Sequence, residues 1–257
     1  MKTSKTAKVT LVGAGPGAKD LITLRGLKAI QSADVILYDA LVSDELLSEI
    51  DDAIIKIYVG KRCGLHSFTQ QEINVLIVEN AFKYGHVVRL KGGDPLVFGR
   101  ANEEIGYVES FGIIVEVVPG ISSVIAVPGS QGIPMTQRGV SSSFWVMTAT
   151  KKEGSFSEDL KFAAQSETTM VILMGIRKFK EIITEVSRYR SALTPFAIIQ
   201  NGTMKNEAFA VGCIGDISGV IKNMDVSEPG IIVIGDVVSE HPSFFEEEVQ
   251  RVLYSSL

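Results

Sequence analysis

Short runs of β-branched residues alternate with amphipathic segments throughout the first half of the chain. The runs predict five strands: KVTLVG, DVILYD, IIKIYVG, HVVRLKG and IIVEVVPG. Between them, apolar residues recur at helical spacing in four segments: LITLRGLKAIQSA, VSDELLSEI, TQQEINVLIVENAFKYG and NEEIGYVESFG. Strands that alternate with helices form a mostly parallel sheet covered on both faces. The first half is therefore predicted to be an α/β domain.

The third helical segment carries the clearest boundary signals. Thr69 precedes it and Glu72 stands three residues later, the spacing of a capping box. Gly85 follows the last apolar position, as is typical after a helix C-terminus. We expect a helix between these two residues.

The second half has strand patterns that lie closer together, with fewer helices between them. The predicted strands are SSFWVMTAT, TTMVILMG, TPFAIIQNGT, AFAVGCI and PGIIVIGDVV, and the clearest helices are FKEIITEVSRYR and ISGVIKNM, with a short one in HPSFFEEEVQRVLYSSL. This pattern indicates a mixed sheet in a second α/β domain. We place the boundary near Val118-Pro119-Gly120, giving domains 1–118 and 119–257.

Composition excludes several classes of protein. The chain has 257 residues, 46% of them hydrophobic, but no apolar run approaches the ~20 residues of a membrane span. The N-terminus lacks the apolar region of a signal peptide. Cys63 and Cys213 are too few for a disulfide framework or a metal site. The net charge of −5 is divided evenly between the halves, which argues against nucleic-acid binding. We expect a cytoplasmic protein without a metal.

Three glycine-bearing loops follow predicted parallel strands: VGAGPGAKD, GGDP and VVPGISS. Ligands of open α/β sheets bind outside the carboxyl ends of the strands. The first loop fits the dinucleotide pattern GxGxxG/A, with Asp39 where a ribose-binding acid would stand. Pro16, however, lacks the N–H group that a pyrophosphate cradle needs. GGDP taken alone is equally typical of a tight turn. Together, the loops favour a flat, polar cofactor that carries no phosphate, and not NAD or ATP.

Cations accompany the same predicted edge of the sheet. Any one of them is more simply explained as a long side chain reaching from a strand end to solvent. As a group they indicate an anionic substrate with several carboxylates, and Arg62, Arg100 and Arg138 are our candidates for binding it. The group comprises Lys61, Arg62, Arg89, Lys91, Arg100 and Arg138.

The order of motifs resembles one known family. VGAGPGAKDLITLRGLKAIQSADVILYDALVSDELL, VGKRCGLHSFTQQEIN, VVRLKGGDPLVFGR, VVPGISS, GIPMTQRG, MVILMG and AIIQNGT occur in the order found in uroporphyrinogen III C-methyltransferases, a group of tetrapyrrole methyltransferases. The resemblance implies two α/β domains with S-adenosylmethionine in the cleft between them, and a homodimer. It also implies two methyl transfers to uroporphyrinogen III, giving precorrin-2 for siroheme or cobalamin synthesis.

The resemblance also implies roles for individual residues. Asp39 corresponds to the proton acceptor of the family and Lys61 to its proton donor. Alternatively, Asp39 caps the following turn, and Met174 packs in the core. The implied cofactor contacts are Pro16, Gly92, Gly93, Asp94, Val97, Ser122, Ser123, Met174 and Gly202.

Three segments depart from the family pattern: Ser130-Gln131-Gly132, Gln137 and Thr148-Ala149-Thr150. They concern the placement of the substrate and the extent of methylation rather than methyl transfer itself. Two alternatives remain open. One is a methyltransferase that acts later in corrin synthesis, and the other is a nicotinamide-dependent oxidoreductase built on the first glycine loop and Asp39.

Overall fold

The β-branched runs of the first half form one parallel sheet in a computed structural model of the chain. Its neighbours are ordered β3-β2-β4-β1-β5, and every pair is parallel. The strands are β1 (Lys8–Gly13), β2 (Val35–Tyr38), β3 (Ile55–Tyr58), β4 (His86–Lys91) and β5 (Ile114–Val118). The predicted parallel sheet is confirmed.

The structure describes residues 6–60, 68–151, 154–217, 225 and 229–244. The chain divides into two compact units, Met1–Ser123 and Val124–Leu257.

Helices cover both faces of the first sheet, because alternate strand residues point to opposite sides. Leu11 lies in one core cluster with Ile77 and Val108, and Val12 lies in another with Ile30. All five side chains are almost completely buried. The helices are α1 (Leu24–Gln31), α2 (Asp44–Ser48), α3 (Gln70–Tyr84) and α4 (Ala101–Glu109).

The boundaries of α3 are those that the sequence predicts. The Glu72 N–H donates to Thr69 Oγ1 at 3.2 Å, and the Thr69 N–H donates to Glu72 Oε2 at 2.7 Å. Gly85 follows the helix with φ 111°, a conformation that residues with a Cβ rarely adopt. The capping box is confirmed.

The second unit contains a mixed sheet, also as predicted. Its order is β6-β7-β10-β8-β9, in which only the β6–β7 pair is parallel. The strands are β6 (Phe144–Thr148), β7 (Thr169–Leu173), β8 (Pro195–Gln200), β9 (Ala208–Cys213) and β10 (Gly230–Ile234). This sheet is also covered on both faces: Ile172 packs in a cluster with Phe179, and Val171 in another with Val127.

Two of the helices that cover it have no counterpart in the sequence prediction. They are α5 (Ser123–Ser130) and α6 (Glu158–Ala164), and the predicted helix α7 (Phe179–Val186) joins them. Pro128 and the β-branched residues of α5 are poor helix formers, so its sequence does not indicate a helix. Burial of Val124 and Val127 beside the sheet supplies the stabilisation that propensity lacks.

Two predicted helices fall largely outside the described residues. Residues 218–224 of ISGVIKNM and residues 245–257 at the C-terminus are not described, so both helices stay predictions. In the part of the chain that is described, no helix has the length and apolar character needed to span a bilayer.

Candidate active site

The three glycine loops follow adjacent strands, β4, β1 and β5, and the backbones of the first and second loops are hydrogen-bonded to each other. The Gly15 N–H donates to Gly93 O at 3.2 Å, and the Gly93 N–H donates back to Gly15 O at 2.7 Å. The Ala14 N–H donates to Lys91 O at 2.8 Å. Amides that a dinucleotide-binding loop would offer to a pyrophosphate are thus engaged by the second loop. This pairing argues against the oxidoreductase alternative.

The first and third loops approach so closely that neither tolerates a side chain at the contact. A Cβ added to Gly13 would lie 2.5 Å from the Gly120 Cα and 2.6 Å from Gly93 O. The Asp94 carboxylate of the second loop also contacts the third loop: its Oδ1 accepts from the Leu96 N–H at 2.8 Å and its Oδ2 from the Gly120 N–H at 3.1 Å. Asp94 therefore joins the second loop to the third.

The two adjacent glycines of the second loop meet different surroundings. A Cβ on Gly92 would lie 2.5 Å from the Leu41 Cβ, so Gly92 is required for packing. Gly93 has φ 66°, and a Cβ there would meet only the Ser123 N, at 3.9 Å. The backbone at Gly93 therefore faces open space beside the first residue of α5. This is the fit that a cofactor approaching the main chain requires.

The second loop continues into an exposed turn with strained backbone. Phe98 and Arg100 have φ 55° and 56°, and Val97 is 38% exposed. The Arg100 guanidinium binds Glu103 through two hydrogen bonds, Nε to Oε1 at 2.7 Å and Nη2 to Oε2 at 2.6 Å. Both side chains are more than half exposed. The contact of Arg100 with a substrate carboxylate stays a prediction.

Asp39 follows β2, which is the neighbour of β4 in the sheet. Its Oδ1 accepts from the Leu41 N–H at 3.0 Å and from the Gly92 N–H at 3.4 Å. Its Oδ2 lies 3.7 Å from the Arg89 Nη2, and the side chain is 24% exposed. Asp39 does cap the following turn, as the alternative had it. One side of the carboxylate still reaches solvent next to the Gly92-Gly93 loop.

Arg89 and Lys91 are not among the exposed cations at the edge of the sheet. The prediction that they face an anionic substrate there was wrong. Both are almost completely buried, on either side of Glu104, which is 0% exposed. Lys91 Nζ lies 3.0 Å from both Glu104 oxygens, and Arg89 Nε lies 3.2 Å from Oε1. Burial, with a smaller contribution from Arg89, lowers the pKa of Lys91 below its usual 10.5.

The sequence contained a signal for this buried cluster. Ala101, Glu104 and Val108 recur at helical spacing and are all buried, so a carboxylate stands in the apolar stripe of α4. Arg89 and Lys91 are two residues apart in β4 and share one face of the sheet. Charged residues in the apolar stripe of α4 and on the facing side of β4 are best explained by ion pairs between the helix and the strand.

In the second unit, two of the predicted cofactor residues lie in turns after strands. Met174 follows β7 with φ 57° and is 71% exposed, so the alternative of core packing is wrong. Gly202 follows β8, and a Cβ there would overlap the methyl groups of Val127. The Gly202 turn is held by Glu207, which accepts from the Thr203 N–H at 2.6 Å and also from the Gln131 side chain. Sequence reasoning missed this role of Glu207.

The remaining predicted residues are placed as follows. Pro16 lies in the first loop, half-buried. Ser122 and Ser123 end the third loop, where α5 begins. Arg138 is exposed in a turn closed by the Gln137 N–H donating to Ser141 O at 2.9 Å. Lys61 and Arg62 lie outside the described residues.

Comparison with known proteins decides which family the chain belongs to. Residues 8–218 match the family described as Tetrapyrrole (Corrin/Porphyrin) Methylases. The chain is a member of that family. The resemblance inferred from the order of the sequence motifs is thereby confirmed, as is the expectation that the protein is a methyltransferase.

Individual tetrapyrrole methylases support the same conclusion. The uroporphyrinogen-III C-methyltransferase of Methanocaldococcus jannaschii is 48% identical over 91% of this chain and 98% of its own length. The siroheme synthase of Buchnera aphidicola is 42% identical over 95% of this chain, which spans only 52% of that relative. The crystal structure of uroporphyrin-III C-methyl transferase from Thermus thermophilus, complexed with S-adenyl homocysteine, covers 90% of this chain and 98% of its own at 34% identity, with a TM-score of 0.76.

Proposed function

We propose that this tetrapyrrole methylase transfers two methyl groups in succession from S-adenosylmethionine to ring carbons of uroporphyrinogen III, giving precorrin-2. The names of the relatives in Methanocaldococcus jannaschii and Thermus thermophilus support the substrate. The observation that carries the proposal is the position of Asp39, whose Oδ1 lies 3.4 Å from the N–H of Gly92 in the second glycine loop. A carboxylate thus stands directly beside the loop that offers open space to a cofactor.

We infer that the open backbone at Gly93 lets the cofactor approach the main chain. S-adenosylmethionine, when bound, supplies a methyl group that is already activated on a sulfonium sulfur. The protein's own contribution is then to position the partners and to hold charge and protons. Further proposed contacts to the cofactor are Pro16, Gly92, Asp94, Val97, Ser122, Ser123, Met174 and Gly202.

Asp39 is proposed to act on the substrate. A pyrrole carbon that attacks a methyl group leaves positive charge on its ring, and a nearby carboxylate stabilises that charge. The same carboxylate is placed to accept the proton that the ring loses. Lys61 is the proposed proton donor. Arg62, Arg100 and Arg138 are the proposed partners of the substrate carboxylates, to which an arginine donates two parallel hydrogen bonds. We also propose a homodimer in the cytoplasm that needs no metal.

Counting methyl groups tests this proposal. The purified protein is incubated with uroporphyrinogen III and S-adenosylmethionine, and the product is analysed by mass spectrometry. We expect a mass increase of two methyl groups. An unchanged mass would contradict the proposal, and methylation of a later corrin intermediate alone would establish the related alternative. Thermal shift checks the cofactor separately: we expect S-adenosylhomocysteine, but not NAD or NADP, to stabilise the protein.

A further inference from the structure

The Arg89 guanidinium lies between two carboxylates of different exposure. Its Nε is 3.2 Å from Oε1 of Glu104, which is fully buried, and its Nη2 is 3.7 Å from Oδ2 of Asp39. Its Nη1 donates to the backbone oxygen of Leu90 at 2.9 Å. The side chain is only 4% exposed, so the guanidinium is fixed from several directions.

The charges of the buried cluster balance only when Asp39 is included. Glu104 accepts from both Lys91 and Arg89, and the Gln70 side chain also donates to its Oε1 at 3.1 Å. With Lys91 protonated, Arg89, Lys91 and Glu104 alone would leave one positive charge in excess in the interior. Buried charges are tolerated when they are paired. Asp39 supplies the second carboxylate through Arg89 and so belongs to the same electrostatic unit.

The two oxygens of Asp39 are held by different partners. The Leu41 and Gly92 N–H groups donate to Oδ1, and Arg89 faces Oδ2. Backbone groups alone would leave the carboxylate able to turn about its terminal bond. Arg89 restricts that rotation, and Glu104 in turn restricts Arg89.

We propose that Arg89 is a positioning residue for Asp39, and that Glu104 serves to hold Arg89 in place. This inference rests on the proposed function, because it assigns Arg89 a part in the reaction that Asp39 carries out. Arg89 is buried behind Asp39 and acts through that residue rather than on the substrate. A displacement of about 1 Å at a reacting group lowers turnover by about 100-fold, so loss of this support is measurable.

A double-mutant cycle distinguishes positioning from a purely structural role. Arg89→Lys retains the buried charge but lacks the forked geometry needed to contact both carboxylates. We expect Arg89→Lys to lower kcat by about 10- to 100-fold, with the Kd of S-adenosylhomocysteine changed less than about threefold. In an Asp39→Asn background, the same change should lower kcat by less than about threefold, because the carboxylate to be positioned is gone.

Lys91→Met serves as the matched control. It removes a partner of Glu104 and a charge of the cluster but leaves the guanidinium beside Asp39. We expect its kcat to fall less than that of Arg89→Lys. An Arg89→Lys enzyme with the turnover of the parent would overturn the proposal. The proposal would also be overturned if the kcat losses of Arg89→Lys and Asp39→Asn multiplied in the double variant. A fall in kcat for Lys91→Met as large as that for Arg89→Lys would overturn it too.

A second readout needs no substrate. Urea unfolding of the parent, Arg89→Lys, Asp39→Asn and the double variant gives the coupling between the two residues. We expect the two changes to be non-additive by at least about threefold in the unfolding equilibrium constant. If the parent fails to methylate uroporphyrinogen III while this coupling is present, the proposed function is wrong and the contact between Arg89 and Asp39 stands. If the coupling is absent, the positioning role is wrong whatever the substrate.

Discussion

Asp94 Oδ2 accepts a hydrogen bond from the backbone N–H of Gly120 at 3.1 Å and thereby ties the second glycine loop to the third. Gly93 lies next to Asp94 and is paired with Gly15 of the first loop through both its N–H and its carbonyl group. The conformation of Gly93 is therefore set by all three loops together. Its φ of 66° and its open surroundings make it the residue at which a substitution separates cofactor binding from folding.

Gly93→Val is expected to lower the affinity for S-adenosylhomocysteine at least tenfold, because the side chain enters the space proposed for the cofactor. Gly112→Val is the matched control: Gly112 has φ 72°, nothing within 4 Å of an added Cβ, and a position between α4 and β5. Both variants carry the strain of a left-handed residue, about 1–2 kcal/mol or more in stability. Calorimetry should show weakened binding only for Gly93→Val. Equal binding by both variants would show that the second loop is only a turn.

Asp39→Asn is expected to lower kcat by about two to four orders of magnitude, the usual effect of losing a general base. The amide oxygen can still accept from the Leu41 and Gly92 N–H groups, so the turn and the cofactor affinity should be retained. Asp39→Ala removes these bonds as well and should also lower the thermal stability. Steady-state kinetics and calorimetry check both points. A kcat within a few-fold of the parent would leave Asp39 with its capping role alone.

Much of the fold was predictable because strand and helix periods in this chain are regular. Every strand of both sheets overlaps a predicted one. Helix α5 was not predictable, because its Val, Ile, Pro and Gly residues do not favour a helix and tertiary packing decides its conformation.

The candidate site was predictable at the level of loops but not of side chains. The spacing of glycines located three neighbouring turns, yet it did not reveal which glycine serves packing and which leaves open space. The division between Gly92 and Gly93 depends on Leu41, a residue distant in sequence. The cations were misjudged at Arg89 and Lys91 because burial depends on which strands lie in the middle of the sheet, and β4 is one of them.

Arg100→Ala is expected to raise the KM for uroporphyrinogen III by about 10-fold or more while cofactor affinity stays nearly unchanged. A charge-assisted contact to one carboxylate is worth about 1.5–3 kcal/mol. The exposed pair with Glu103 contributes little stability, so a substrate carboxylate can displace it. Arg100→Lys should recover only part of the loss, since it cannot make two parallel hydrogen bonds. A fall in cofactor affinity with an unchanged KM would assign Arg100 to the cofactor instead.

Gly202→Ala is expected to destabilise the second unit by about 1–3 kcal/mol, the usual cost of overpacking, because the added methyl group would overlap the Val127 side chain. Val127→Ala makes room, so the double variant should be more stable than the sum of the single changes predicts. Gly129→Ala is the control, since nothing lies within 4 Å of a Cβ at this position of α5. Thermal unfolding of the four variants measures these differences in stability. Additive effects would mean that the turn moves away from α5 instead.

The stability of the second unit is expected to fall as the pH drops below 6.5, through His241. Burial lowers the pKa of His241 below 6.5, and its ring lies 4.4 Å from that of Phe209. Its Nδ1 accepts from the Ser243 N–H at 3.1 Å, which requires the unprotonated nitrogen. Between 6.5 and the lower folded pKa the unfolded chain binds more protons than the folded chain, so stability decreases with falling pH. Urea unfolding at pH 5.5 and 7.5 should show a larger loss for the parent than for His241→Gln. Equal losses would contradict this.

The reciprocal bonds between Gly15 and Gly93 have a consequence for the order in which the protein acquires its site during synthesis. The first glycine loop leaves the ribosome long before β4, which carries its partner, and β5 follows later still. The first loop thus lacks its native bonds until most of the first sheet has been made. Any N-terminal fragment that ends before β5 lacks the third loop, so we expect no such fragment to bind the cofactor, however well its helices form on their own.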